Sequence, residues 1–175
     1  MGDRVTSPIN QTNDDTQKKQ LLSLRMSAMN SLAMREHSID EIKQKLEQKF
    51  TSKQGDFAHL EQLIEQVLEQ LIDDNLLNEA RFARCFVHSR VNKGSGPVKI
   101  RHELIQRGIS NDLINECLEV SYCFWQPYIK RVREKRFGSQ QPDDYKEQSR
   151  QARFLYQRGF NGELIHQFFN DISTE

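Results

Sequence analysis

The stretch HELIQRGIS, residues 102–110, has the form of a helix that ends at a glycine. A cation in the last turn suits the helix dipole, and a following glycine favours the left-handed conformation that terminates helices. Similar stretches occur as KLEQKF at residues 45–50 and FLYQRGF at residues 154–160. Alignment superimposes a leucine and a cation from each copy: Leu46 and Lys49, Leu104 and Arg107, Leu155 and Arg158. The chain therefore carries an internal repeat.

A helical pattern precedes and follows each copy of this stretch. The clearest is LEQLIEQVLEQLI, residues 60–72, whose apolar residues recur at i, i+3, i+4, i+7, i+8, i+11 and i+12. No alternating β-branched run competes with these patterns. We therefore predict an all-α protein of three tandem three-helix repeats. Such small repeats bury little surface alone, so we expect them to stack into an elongated, curved array.

The helical patterns also suggest the domain boundaries. Residues 1–20 are polar and lack periodicity, so we expect a disordered tail there. The first repeat is placed at residues 21–75, the second at 76–122 and the third at 123–175. Ser38 with Glu41 has the spacing of a capping box, which predicts that a helix begins after Ser38.

Charge is distributed unevenly along a chain whose formal net charge is zero. Residues 1–80 contain 9 basic and 14 acidic residues, residues 81–136 contain 12 and 5, and residues 137–175 contain 4 and 6. A basic middle segment can attract an anionic partner.

No apolar run approaches the length of a membrane span, and the three cysteines do not form a disulfide framework. We expect a cytoplasmic protein that does not enter membranes.

The glycines of KGSGPVK, residues 93–99, raise the question of a phosphate-binding loop. A P-loop requires a different glycine spacing and a preceding strand, which the helical pattern does not supply. Pro97 instead fits the first position of a helix, and Gly108 fits its end. Cys85 and His88 lie one turn apart but have no third partner at a catalytic or metal-binding spacing. We predict no enzyme activity, no catalytic residue, no metal site and no cofactor.

The basic side chains leave two interpretations open. Arg101 falls between two apolar faces, where it either extends along a packed surface or belongs to a contact face. Arg81, Arg84 and His88 form a stripe that is either solvated or in contact with phosphate. The third repeat adds a group of cations between residues 130 and 136: Lys130, Arg131, Arg133, Lys135 and Arg136. Aromatic residues nearby, including Trp125, follow helical spacing and are predicted to belong to the core.

The segment around residues 76–118 resembles the RecX family of bacterial regulators of the RecA recombinase. The resemblance rests on Leu77 and Asn78, on Arg-Phe-Ala at residues 81–83, on the glycines at 94–96, and on Glu103-Leu104 with Arg107-Gly108. It extends over roughly residues 21–170 and departs most in the third repeat. Phe50 also replaces the glycine that the other copies carry. The resemblance implies tandem three-helix repeats that bind the groove of the RecA–DNA filament and reduce its activity.

We therefore expect a monomeric inhibitor of RecA that takes part in recombination, DNA repair and the SOS response. Its partner is the RecA nucleoprotein filament, with direct contact to single- or double-stranded DNA as a further expectation. Contacts are predicted from ten basic residues: Arg81, Arg84, Arg90, Lys93, Lys99, Arg101, Arg107, Lys130, Arg131 and Arg133. The alternatives are a stand-alone helical DNA-binding protein and a helical scaffold for an unrelated partner.

Overall fold

The computed structural model describes residues 8–51, 57–118 and 122–174. These ranges contain nine α-helices and no strand, which confirms the predicted all-α fold. The helices are α1 Pro8–Leu32, α2 Ile39–Phe50, α3 Phe57–Asp73, α4 Glu79–Asn92, α5 Pro97–Ile105, α6 Asn111–Cys117, α7 Tyr122–Phe137, α8 Tyr145–Gln157 and α9 Gly162–Thr174. None of the described helices is both long enough and apolar enough to cross a membrane.

Helix α1 begins earlier than the sequence pattern indicates. Residues 8–20, where a disordered tail is expected, form its first turns, and residues 1–7 lie outside the described part of the chain. Adding a residue to an existing helix costs far less than starting a new one. The buried part of α1, which includes Leu24 and Ala28, supplies the starting point from which the polar turns extend.

The first unit comprises residues 1–79 and contains α1, α2 and α3. Its core joins Leu24 of α1, Leu46 of α2 and the apolar face of α3. The periodicity of residues 60–71 correctly predicts burial, whereas Ile72 is 43% exposed. Twelve residues turn a helix by 1200°, so Ile72 lies about 120° away from Leu60 around the axis. The start of α2 is also as predicted, because Ser38 Oγ accepts from the Glu41 backbone N–H at 3.1 Å.

The second unit comprises residues 80–175 and contains α5 to α9 and all of α4 except its first residue, Glu79. The predicted second and third repeats share one core here, in which Phe82 and Leu104 belong to the same cluster as Trp125 and Phe160. The boundary expected between residues 122 and 123 therefore falls inside a compact unit. The boundary expected at residues 75 and 76 lies four residues before the division between the two units.

The glycine-rich start of α5 joins the second repeat to the third. Gly96 is the N-cap, Pro97 follows in the first turn, and Gly108 adopts φ +78°, as the sequence predicts. In addition, the Gly96 N–H donates to the Arg158 carbonyl at 2.8 Å, and the Val98 N–H donates to the Gly159 carbonyl at 3.0 Å. Two of the N–H groups at the start of α5 that a phosphate could use are thus bonded to the turn between α8 and α9.

Candidate phosphate-binding cleft

A basic cleft of about 470 Å³ lies in the second unit, where the end of α4 meets α7 and the end of α8. Five of its lining residues are cations, and no Asp or Glu belongs to its described lining. We refer to this group as the basic cleft; it is lined by Asn92, Lys93, Gly94, Arg131, Val132, Lys135, Arg136, Phe154 and Arg158. Several like charges in a concave site concentrate a positive potential that favours an anionic partner.

The backbone at Gly94 brings the end of α4 against α7. Gly94 adopts φ +81°, and a Cβ atom at this position would lie 2.8 Å from Val132 Cγ2. A larger residue would therefore meet both an unfavourable backbone conformation and a steric clash. This close approach places Lys93 beside the face of α7 that carries Arg131 and Lys135. Those two residues are four apart, so they lie on the same side of the helix.

Two of the cleft's guanidinium groups are held by neutral partners. Arg131 Nη2 donates to the Val91 carbonyl at 3.2 Å, and its guanidinium lies 5.3 Å from the centroid of the Tyr128 ring. Arg158 lies 5.1 Å from the centroid of the Phe154 ring. Carbonyl and aromatic partners orient a guanidinium without neutralising its charge. These cations are therefore positioned for an anion while they keep their full charge.

Of the ten residues predicted to make contacts, the cleft brings together Lys93 and Arg131. Arg90 and Arg107 form a separate cluster, in which each guanidinium lies 4.7 Å from the centroid of the Phe86 ring. Arg90 Nε also lies 2.6 Å from Glu103 Oε2, and Arg107 Nη1 donates to the Glu103 carbonyl at 2.6 Å. This cluster ties α4 to α5, and its ion pair offsets part of its charge.

The other predicted residues on the surface lie outside the basic cleft. Arg84, Lys99 and Lys130 are exposed, and Arg81 is half-buried. Arg101 is half-buried, and its Nη2 donates to Asn115 Oδ1 at 2.8 Å, which links α5 to α6. The structure therefore does not gather these side chains into the cleft with Lys93 and Arg131.

Arg133 is buried and has a structural role. Only 3% of the residue is exposed. Its Nε donates to Gln151 Oε1 at 2.9 Å, and its Nη1 and Nη2 groups donate to the carbonyls of Gly138, Ser139 and Gln140. These bonds connect α7 to α8 through the intervening turn. A guanidinium bonded in this way is not available to a partner, so Arg133 does not belong to the candidate surface.

The ten predicted contact residues do not include Lys135, Arg136 or Arg158, although all three line the cleft. The spacing of four residues between Arg131 and Lys135 is a usable signal, because both follow one face of α7. For Arg158 the sequence indicates only a cation at the end of a helix. It gives no sign that Arg158 lies near Lys93, because the two residues are far apart along the chain. The described residues contain no cluster of three or more His, Cys, Asp or Glu side chains that could hold a metal ion.

Comparisons with known proteins place these repeats in a family. Two family models match: that of the RecX second three-helix domain at residues 78–118, and that of its third three-helix domain at residues 128–169. The regulatory protein RecX of Halorhodospira halophila is 41% identical over 82% of this chain and 84% of that relative. The regulatory protein RecX of Pseudomonas entomophila is 37% identical over 82% of this chain and 88% of that relative.

Solved structures show the same fold. The crystal structure of RecX from Lactobacillus salivarius superimposes with a TM-score of 0.72 at 20% identity, covering 90% of this chain and 99% of that one. A second crystal structure, of a regulatory protein RecX, gives a TM-score of 0.75 at 18% identity and covers 98% of this chain and 81% of that one. With curated relatives above 35% identity over most of its length, this chain belongs to the RecX family of regulatory proteins.

Proposed function

We propose that this chain is a non-enzymatic inhibitor of the RecA recombinase that acts in the cytoplasm by binding the RecA–DNA filament. Through RecA, it would limit recombination, DNA repair and the SOS response. The observation that carries the proposal is the basic cleft of the second unit, in a chain that belongs to a family of regulatory proteins. The cleft is suited to a DNA phosphate or to an acidic surface of the filament.

The chemistry of the cleft supports an anionic partner with extended geometry. Lys93 and Arg158 come from different repeats, and Arg131, Lys135 and Arg136 come from the helix between them. Arginine binds phosphate in a fixed, two-pronged geometry, whereas lysine acts as a mobile point charge. A site that combines both favours a charged backbone over a base sequence. Contact without base readout suits a regulator that acts on filaments formed on any DNA.

A second candidate function, DNA binding without RecA, is favoured by the same absence of acidic lining residues. If each of the five cations contacted a phosphate, single-strand affinity would fall with salt at a log–log slope of about −3.5. A titration of fluorescent oligo(dT) at two salt concentrations measures this slope. Submicromolar binding at physiological salt without RecA would favour the stand-alone function. Binding that requires RecA would favour the filament regulator.

The test of the leading proposal is a RecA ATPase assay on single-stranded DNA with added protein. We expect Lys93→Glu/Lys135→Glu to lose inhibition, because the variant reverses two charges in the cleft. Lys19→Glu/Lys146→Glu is the matched control, since it changes the net charge equally at exposed positions that do not line the cleft and are not among the ten predicted contact residues. Circular dichroism verifies that both variants are folded. If the two variants inhibited the RecA ATPase equally, the basic cleft would have no part in the inhibition. If an excess of wild-type protein did not inhibit the RecA ATPase, the proposed function would be refuted.

A further inference from the structure

A second basic cavity, of about 640 Å³, lies in the first unit between the end of α1 and α2. It lies outside the two segments that the family models match, residues 78–118 and 128–169. Three of its lining residues are lysine or arginine, and its described lining contains no Asp or Glu. We call it the first-unit cavity; it is lined by Ser27, Asn30, Ser31, Met34, Arg35, His37, Lys45 and Lys49.

The two lysines of this cavity are bonded to neutral groups. Lys45 Nζ lies 3.0 Å from His37 Nε2, and Lys49 Nζ donates to Ser27 Oγ at 2.9 Å. Neither contact cancels the ammonium charge. Lys43, on the same helix, contrasts with both, because its Nζ lies 3.4 Å from the carboxylates of Glu61 and Glu65. The lysines of α2 whose positive charge is not paired with a carboxylate in the described part of the chain, Lys45 and Lys49, therefore lie on the side of the helix that faces the cavity.

His37 fixes the direction of Lys45. The histidine is 1% exposed, and its Nδ1 lies 3.0 Å from the Arg35 carbonyl oxygen. Since a carbonyl only accepts, Nδ1 carries the proton, which leaves Nε2 to accept from Lys45. The pKa of His37 is lowered, mainly by burial and also by the positive charges of Arg35 and Lys45. The hydrogen bond to the Arg35 carbonyl and the negative charge of Glu41 act in the opposite direction. A neutral imidazole thus holds the ammonium in place.

The remaining groups extend this arrangement. Ser27 Oγ accepts from Lys49, which leaves its own proton free to be donated to a ligand oxygen. Arg35 contributes a third cation, although its Nη1 is 2.8 Å from Glu41 Oε2 and its charge is partly offset. The volume exceeds that of a single phosphate and falls within the range of small-molecule sites, roughly 300–1,000 Å³. Met34, 85% exposed, adds an apolar group to the wall.

We propose that the first-unit cavity binds the phosphate group of a small phosphorylated molecule, of about the size of a nucleoside monophosphate. Lys45 and Lys49 are the phosphate ligands, Ser27 donates its hydroxyl proton, and His37 is a positioning residue for Lys45. Met34 contacts the less polar part of the molecule. This inference concerns a different unit from the basic cleft and does not depend on the action on RecA.

The experiment is an NMR titration of the full-length chain with inorganic phosphate, adenosine 5′-monophosphate and adenosine. We expect saturable shifts of the Asn30 and His37 backbone amides with the two phosphate compounds and none with adenosine. Lys45→Gln and Lys49→Gln should each weaken binding by about tenfold, because each removes a charge-assisted hydrogen bond. Lys43→Gln is the matched control on the same helix and should bind as the wild-type protein does.

Other results would overturn the assignment. Equal affinity of Lys45→Gln, Lys49→Gln and Lys43→Gln would exclude the lysines as ligands, as would phosphate-induced shifts confined to residues around Lys93 and Arg158. Shifts produced by a 5′-hydroxyl oligonucleotide but not by the monophosphate would exclude a small molecule. His37→Gln retains an acceptor for Lys45 and should preserve binding, whereas His37→Leu should weaken it. If the two behave alike while circular dichroism finds both folded, His37 does not position Lys45.

Discussion

Replacing Gly96 with alanine tests whether the second and third repeats form one folded unit. An added Cβ atom would lie 2.3 Å from the Gly159 carbonyl carbon and 2.4 Å from the Phe160 nitrogen. Backbone cannot rotate away as a side chain can, so α5 and the turn between α8 and α9 must separate. Separation breaks the hydrogen bonds from the Gly96 and Val98 N–H groups, which are 2.8 and 3.0 Å long.

The expected loss follows from these contacts. Two neutral hydrogen bonds contribute about 1 kcal/mol each, and forced overpacking costs roughly 1–3 kcal/mol. Gly96 has φ −85°, which alanine also adopts without strain. Because alanine lowers the entropy of the unfolded chain, the substitution also stabilises the folded state by about 0.5 kcal/mol. The unfolding free energy should therefore fall by about 2.5–4.5 kcal/mol, a large part of the 5–15 kcal/mol that is typical of a domain.

Urea unfolding followed by tryptophan fluorescence measures this change. Trp125 is the chain's single tryptophan, is fully buried and lies in the core of the second unit, with its ring centroid 5.8 Å from that of Phe160. Gly162→Ala is the matched control, because its Cβ atom would meet nothing within 4 Å, and it should be neutral or slightly stabilising. A Gly96→Ala variant within 0.5 kcal/mol of wild type would refute the reasoning, because the contact could then be relaxed at little cost.

Two further predictions concern buried polar groups. Arg133→Met should lower the unfolding free energy by about 3 kcal/mol in the same fluorescence assay, because it leaves the Gly138 and Ser139 carbonyls and the Gln151 side chain without their donor; an unchanged urea midpoint would contradict this role. For His37, burial lowers the pKa in the folded state below the ordinary 6.5. The neutral imidazole therefore stabilises the fold fully above pH 6.5. This contribution is lost as the pH falls through the folded-state pKa. Far-UV circular dichroism should therefore find a larger drop in the urea midpoint between pH 7.5 and 5 for wild type than for His37→Gln, and equal drops would show that His37 is not the group responsible.

The helical periodicity was sufficient to predict most of the core. Leu60, Leu63 and Ile64 of α3, and Ile100 and Leu104 of α5, are all buried as their spacing indicates. The same rule could have identified Arg133, which lies four residues after the buried Ile129 and next to the buried Val132. Its positive charge suggested a surface role, but its position on the helix indicated the interior. A cation at a position that the helical periodicity assigns to the interior can be buried when carbonyl groups accept its hydrogen bonds.

The basic cleft could not be predicted as a unit from sequence. A helical wheel relates Arg131 to Lys135, because both belong to α7. No local pattern relates either of them to Lys93 or Arg158, since these are brought near by the packing of α5 against the turn after α8. That packing depends on Gly96 and Gly159, whose absent side chains allow two backbone segments to touch. The sequence pattern places Pro97 at the start of a helix and Gly108 at its end, but the close approach of Gly96 to Gly159 is visible only in the folded chain.

This packing also determines how an anion can bind. Free N–H groups at the start of a helix attract phosphate, but at the start of α5 those of Gly96 and Val98 donate to carbonyl oxygens of the neighbouring turn. The positive end of α5 is therefore used to join two repeats. An anion in the basic cleft is then held by side-chain charges such as those of Lys93 and Arg158. Binding of this kind weakens with salt and survives lysine-to-arginine exchange, whereas binding to a helix N-terminus depends on backbone geometry. Salt dependence that is lost in Lys93→Glu/Lys135→Glu and kept in Lys93→Arg/Lys135→Arg would distinguish the two modes.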